Sequence, residues 1–358
     1  MKRIVLCCDG TWNRADQERA GEPAPTNVLR AAYLIAKAKA DVPQIVSYDQ
    51  GVGTGNTLDR LTGGAFGHGL EENIHEAYRF LVANYEPGDD LFLFGFSRGA
   101  FTARSIAGMI RKCGILRRSA VRHYRDALAL YRDGQHPDDQ GPTDFRAKHS
   151  VAGANEIPVT CIGVWDTVGA LGIPVRGLRG LTRGTYQFHD TELSGTVRNA
   201  FHALAIDEHR GPFEPTLWQH EPKDGQTVEQ VWFAGVHSDV GGGYAERGAS
   251  DVPLQWMLDR AKDKAGLALD VEALAANPPH PNHTGPLHDS LNLFYRLSGI
   301  DRPIGLVTPP PGEPRVAPEP DPTQSVHQSV LDRWDADPRY RPANLRDYFT
   351  RTGDPRGA

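Results

Sequence analysis

The sequence predicts an α/β fold, a doubly wound, mostly parallel sheet with helical and loop insertions. Three observations carry this. Short, branched, apolar runs alternate with stretches of helical period, as in strands joined by crossover helices. The runs are continuous rather than alternating, as in sheets covered on both faces. Asp9, Ser97, Asp166 and His237 each fall at the carboxyl end of such a run, where open α/β sheets form their sites.

Each element has its own signal. Arg3 to Cys8 (RIVLCC) is a buried strand ended by Asp9-Gly10-Thr11. Asn27 to Ala40 has a helical apolar face, and Gln44 to Tyr48 is a second strand followed by the glycine loop at Gly51, Gly53 and Gly55. Leu70 to Tyr85 is a strongly amphipathic helix stopped by Pro87-Gly88, and Asp90 to Phe96 is the third strand. Ala100 to Arg111 and Ser119 to Arg132 read as helices, and Gly134 to Gly153 as a polar connection. Pro158 to Trp165 is a fourth strand, Ser194 to Ile206 a helix within a long irregular span, Gln230 to Val236 a fifth strand, and Pro253 to Gly266 a helix. The expected organisation is one domain over 1–306 with covering insertions at 113–157 and 172–227, a proline-rich connection at 307–322, and a segment at 323–358 packing on the domain.

Composition narrows the classes. The net charge of −6 gives no reason to expect nucleic acid. Four cysteines without a CxxC pair suggest reduced thiols and not a disulfide framework. No apolar run approaches the ~20 residues of a membrane span, and MKRIVLCCDG is too short a run for a leader, so the expected location is the cytoplasm, with signal-independent export left open.

Gly95-Phe96-Ser97-Arg98-Gly99 lies between a strand and a helix. That context fits a nucleophile elbow, where a sharp turn exposes the serine and glycines two residues away avoid a collision. A serine needs a base, and the base an orienting acid. Asp166, in VWDTVG, ends the next predicted strand, and His237, in AGVHSDVGGGY, the one after it. The alternatives are an Asp166 that only caps its turn and a His237 bonded to Asp239, with His288 or His327 folding back as the base. The oxyanion donors expected are the amides of Arg98 and Thr11, with Gly10 allowing close approach. Asp9 and Asp239 are expected to support the site.

CDGTWN, YDQGVGTG, GDDLFLFGFSRGAFTAR, GVWDTVG, AIDEHRGPF and VWFAGVHSDVGGGY together resemble a widespread α/β-hydrolase domain family. That family includes the catalytic domain of phospholipases among type VI secretion effectors. The resemblance runs from Cys8 to about Tyr244, with weaker echoes in LHDS and VHQSV. It implies an α/β-hydrolase fold and a Ser-Asp-His triad, which falls on Ser97, Asp166 and His237. The effectors are longer and carry membrane-associating segments that are not recognisable here.

The expectation is therefore a serine esterase or lipase-like enzyme with no cofactor and no metal. Its substrate is a small-molecule or lipid ester, a phospholipid being the alternative and a membrane surface not favoured. The basic, apolar run from Arg176 to Arg183 is the one candidate for such a surface. Rival readings are weaker. CCDGT puts Cys7 where an aspartate-nucleophile phosphatase has its nucleophile, and GVGTG lacks the Lys-Ser/Thr of a phosphate loop. A metal hydrolase would draw on Asp9, Asp166, His237 and Asp239, and a binding module would leave the elbow unused.

Overall fold

The computed structural model describes residues 1–10, 13–51, 63–168, 193–219, 222–290, 300–307 and 319–357, with the backbone alone at 63–68. In chain order, β1 (Arg3–Cys8) leads to a small hairpin, β2 (Glu18–Arg19) and β3 (Glu22–Pro23), and then to α1 (Asn27–Leu34). The Thr26 hydroxyl caps α1 by accepting from the Leu29 amide at 3.2 Å. Next come β4 (Ala38–Lys39), β5 (Val42–Asp49), α2 (Gly63–Asn84), β6 (Asp90–Phe96) and α3 (Arg98–Cys113). Outlying helices α4 (Tyr124–Arg132) and α5 (Gln140–His149) precede β7 (Cys161–Trp165), β8 (Asn199–Ala205) and β9 (Thr227–Phe233). Helices α6 (His237–Gly241), α7 (Gly248–Asp263) and α8 (Val271–Ala276) follow. The chain closes with β10 (Gln324–Val326), α9 (Gln328–Ala336) and α10 (Ala343–Thr352).

The main sheet has the order β10-β9-β8-β7-β6-β1-β5-β4. Every pair in it is parallel except β4 with β5. Strand order reverses at β1, which pairs on one side with β5 and on the other with β6, so Cys8 stands opposite both Asp49 and Gly95. Such a reversal opens a crevice beyond the strand ends.

The strands divide their side chains between two layers. Ile4, Leu6, Cys8, Leu91, Leu93, Ile162 and Val164 pack with the α2 and α3 residues Tyr78, Leu81, Ile106 and Ile110. Val5, Cys7, Phe92, Phe94, Cys161, Trp165 and Phe201 pack on the other face with Val28 of α1 and Trp256, Met257 and Leu258 of α7. Each large side chain so buried contributes about 1.5–3 kcal/mol. Cys7, Cys8, Cys113 and Cys161 are buried free thiols.

Four expectations are corrected. The helix expected over Asn27 to Ala40 ends at Leu34, where Ile35 is extended, and Ala38–Lys39 form β4. Residues 199–205, expected inside a helix, form β8, a central strand; its Ala200 to Ala205 are all buried. The span 172–227 is therefore not wholly an insertion. Residues 140–149, expected as irregular connection, form α5, held by the buried Arg146 side chain on the Arg111, Lys112 and Pro137 carbonyls. Helix α7 begins at Gly248, five residues before the proline taken as its start, because Pro253 sits inside it. The glycine loop beyond Gly51, the run Arg176 to Arg183 and most of the proline-rich connection lie outside the described residues.

The C-terminal segment extends the sheet. β10 pairs with β9 in the register Gln324 to Gln230, and Val330, Trp334, Leu345 and Phe349 pack on Leu204, Ile206 and Trp232. The buried Gln324 side chain holds the join. It accepts from the Trp232 indole at 2.8 Å and the Gly305 amide at 2.9 Å, and donates to the Leu306 carbonyl and Asp321 carboxylate, both at 2.9 Å. Removing an acceptor from buried donors costs about 1–3 kcal/mol each. Gln324→Leu should thus lower the urea midpoint by an amount equivalent to about 2–4 kcal/mol at unchanged slope. Ser325→Ala, at the exposed neighbour, should change it by less than about 0.5 kcal/mol.

Candidate active site

Ser97 follows the last residue of β6 and precedes α3, at φ 58° and ψ −121°. A residue with a side chain holds such a conformation at a cost of about 1–3 kcal/mol, and only where its surroundings fix it. Here the Ser97 amide donates to the Trp165 carbonyl at 3.0 Å, and the Ser97 carbonyl accepts from the Phe101 amide at 3.3 Å. The flanking glycines have a steric reason. A Cβ on Gly95 would stand 2.4 Å from the Gly99 carbonyl oxygen, and one on Gly99 2.1 Å from that of Cys8. Helix α3 therefore crosses directly over the ends of β6 and β1. The Ser97 hydroxyl makes no capping bond to the helix it precedes.

Asp166 ends β7, whose Trp165 stands in register with Phe96. It too has a positive φ, 39°, and its amide continues the ladder by donating to the Ala203 carbonyl at 2.7 Å. Its carboxylate is fully buried and accepts four hydrogen bonds. Oδ1 takes the Ala205 amide at 3.0 Å and Arg302 Nη1 at 2.7 Å. Oδ2 takes His237 Nδ1 at 2.5 Å and Arg302 Nη2 at 3.1 Å. Burial alone would raise this acid, but the Arg302 charge and the His237 bond outweigh it and hold the carboxyl well below the usual range. Next in the chain, the Thr167 amide donates to Nε2 of the buried His202 at 3.1 Å. Burial pushes that imidazole down to about 3, so it remains a neutral acceptor.

His237 opens α6 beyond the end of β9. Its ring lies between Phe96, with centroids 4.6 Å apart, and Phe213, at 4.8 Å edge-on. Ser97 is thus next in the chain to a ring that packs on His237. A Cβ on Gly241 would overlap the Phe96 ring at 1.9 Å, so that glycine lets α6 close on the turn. Burial lowers the basicity of His237, and the Asp166 bond only partly offsets it, leaving the imidazole less basic than an ordinary histidine. The His237 amide donates to Glu208 at 3.3 Å. Glu208 also takes Arg210 Nε at 2.8 Å and Nη2 at 2.7 Å, and Arg210 stacks on Phe213 at 3.6 Å.

On the other side of Ser97 lies the loop after β1. A Cβ on Gly10 would stand 3.2 Å from the Ser97 Cβ, so that loop touches the serine. Asp9 organises it. Its carboxylate accepts from the Gly10 amide at 2.7 Å, Asn13 Nδ2 at 3.1 Å, the Thr26 hydroxyl at 2.5 Å and the Tyr48 hydroxyl at 2.7 Å. The Gly10 amide is engaged with Asp9, so what Gly10 gives the serine is space. Thr11 lies outside the described residues. Arg98 is the first residue of α3, and burial pushes its guanidinium down to about 10.

The remaining candidates are placed elsewhere. Asp239 accepts from the Val236 amide at 3.1 Å and pairs with His288 Nδ1 at 2.6 Å, so it buttresses α6 and not the His237 ring. His288 stacks on Tyr244 at 3.6 Å. His327 stacks on Phe233 at 4.7 Å and bonds the Ser329 hydroxyl at 2.8 Å. Among the described residues, no three His, Cys, Asp or Glu side chains are grouped to hold a metal ion, and no helix is long and apolar enough to cross a membrane. Arg302, Glu208 and Phe213 were not singled out by sequence reasoning. AIDEHRGPF held the last two in a recognisable stretch, but nothing around Arg302 marks it.

A mostly parallel, doubly wound sheet with Ser97 and the His237–Asp166 pair beyond its carboxyl ends defines the class, a hydrolase-like α/β protein. Within that class, the chain belongs to the family described as the T6SS phospholipase effector Tle1-like catalytic domain, whose model matches residues 2–260. It is 30% identical over 241 residues to the uncharacterized protein YEL023C of Saccharomyces cerevisiae, covering 62% of this chain and 33% of that protein. The chain thus spans about a third of that relative's length. Two solved structures are similar. An uncharacterized protein from Pseudomonas aeruginosa is 22% identical with a TM-score of 0.45, covering 75% of this chain and 46% of the other. The Tle1 effector bound to the VgrG spike of the type 6 secretion system is 19% identical with a TM-score of 0.41, covering 68% and 52%.

The opposed effects on His237 give a sign that can be checked. By NMR, its imidazole should titrate with a midpoint below 6.5. Asp166→Asn removes the carboxylate that favours the charged form, so the midpoint should fall further. A midpoint above 6.5 in the wild type would contradict burial as the larger effect.

Proposed function

We propose that this domain is a serine hydrolase of acyl esters, with lipid esters as its substrates. The observation that carries the reading is a serine held at positive φ on a strand-to-helix turn, next in the chain to Phe96, whose ring packs on the histidine of a buried His–Asp pair. Ser97 Oγ attacks the ester carbonyl and forms the acyl-enzyme. His237 takes the serine proton through Nε2, since Nδ1 is engaged with Asp166, and returns it to the leaving alcohol. Water then repeats the attack and releases the acid. Asp166 stays ionised, fixes the imidazole tautomer and stabilises the imidazolium. The Arg98 amide at the start of α3 donates to the oxyanion, aided by the positive end of that helix. The Thr11 amide is the proposed second donor. The lowered basicity of His237 supports this assignment, because it favours the neutral ring, the form that accepts a proton.

Small soluble esters were the first expectation from the sequence. Family membership supports lipid esters instead, since the matching model is that of a phospholipase effector domain. One experiment tests both parts. Wild-type protein should take a fluorophosphonate label at Ser97 and release fatty acid from phospholipid in mixed micelles. Ser97→Ala should stay folded and lose labelling and turnover by several orders of magnitude. Undiminished turnover in the folded variant would remove the serine mechanism. Cleavage of p-nitrophenyl butyrate with phospholipid left intact would remove the lipid substrate alone.

A further inference from the structure

The acid of the proposed triad is held from a part of the chain that the family match does not reach. Arg302 lies beyond residue 260 and is itself buried. It forks onto both oxygens of Asp166, at 2.7 and 3.1 Å. The same guanidinium donates to the Ala205 carbonyl at 2.8 Å and to the Phe213 carbonyl. Ala205 in turn donates its amide to Asp166, and the Phe213 ring packs on His237. Arg302 thus ties together the acid, the end of β8 and the aromatic wall of the base. Its own backbone is fixed by Asn344 of α10, which donates Nδ2 to the Arg302 carbonyl at 3.2 Å and to the Ile206 carbonyl at 3.0 Å.

We propose that Arg302 is a positioning residue of the triad: it keeps Asp166 ionised and aimed at His237, and makes the C-terminal segment part of the catalytic unit. The inference rests on the serine mechanism above. A buried carboxylate without a cation takes up a proton, and a protonated Asp166 cannot stabilise an imidazolium. A cation sharing that carboxylate also restrains the basicity of His237, because less of the negative charge faces the ring. The planar fork matters as well as the charge, since an ammonium cannot bridge both oxygens in that geometry.

The test compares Arg302→Gln and Arg302→Lys with wild type, reading kcat, KM and the pH profile of kcat/KM on a soluble ester. The charged groups facing His237 are Asp166 after β7, Glu208 and Arg210 after β8, and Arg302 behind Asp166. Only Arg302 changes, so a displaced acid limb reports on it. In Arg302→Gln, kcat should fall by about 100-fold at nearly unchanged KM, less than losing the acid itself costs, and the acid limb should move. Arg302→Lys should keep the limb near its wild-type position and still lose about tenfold in kcat. Wild-type kcat and an unmoved limb in folded Arg302→Gln would overturn the proposal. So would loss of the fold in both variants, which would assign Arg302 to stability alone. Fluorophosphonate labelling of Ser97 in the wild type keeps the outcomes apart: if Ser97 is not labelled, the serine mechanism has failed, whatever Arg302 does.

Discussion

The site is organised around a charge buried away from solvent. Asp166 is fully buried, and a carboxylate in that position persists only if every lone pair is met. Four hydrogen bonds meet them, from three parts of the fold: the end of β8, α6 and, twice, the guanidinium beyond residue 300. The need to compensate one carboxylate therefore fixes where three distant segments must sit. The positive φ of Asp166 turns its side chain out of the ladder while its amide stays in it. Had that residue continued as ordinary strand, the amide and the carboxylate would not both be served.

The second constraint is the crossing at the sheet reversal. Helix α3 leaves β6 by a turn so tight that the backbone of Gly99 approaches the Cys8 carbonyl, and the loop after β1 presses Gly10 against Ser97. Asp9 keeps that loop in shape through four hydrogen bonds, one of them from the Thr26 hydroxyl that also caps α1. The crevice between β1 and β6 is thus bounded on both sides by close backbone approaches, at Gly99 and at Gly10. The proposed chemistry needs such close placement, because an oxyanion site works only if its donors are already in place.

Much of this was legible in the sequence. RIVLCC and DLFLFGF are strands at the bounds read from their apolar runs, because branched and aromatic residues bounded by turn signals leave little ambiguity. The Gly-x-Ser-x-Gly turn and the order Asp166 then His237 were read from position at strand ends. β8 was misread because NAFHALA is buried on both faces, so it shows no period of two, and its alanines and leucine suit a helix equally well. α5 was missed because QGPTDFRAKH has almost no apolar face; its order comes from one buried arginine meeting carbonyls far away in sequence. Arg302 was illegible for the same reason. A lone arginine has no pattern, and its partner is 136 residues upstream.

That separation has a consequence for how the protein divides along its length. The β1, β5, β6 and β7 pairings draw only on the first half of the chain, with α1, α2 and α3 over them, while α7 covers one of their faces from the second half. The guanidinium that neutralises Asp166 and the strand that covers the β9 edge both come from beyond residue 300, β10 meeting β9 across 92 residues at Trp232 and Gln324. The scaffold and the charge balance of its site are thus drawn from separate stretches of sequence: a cut between residues 276 and 302 would keep every strand of the main sheet but β10 and take away the cation of its buried acid.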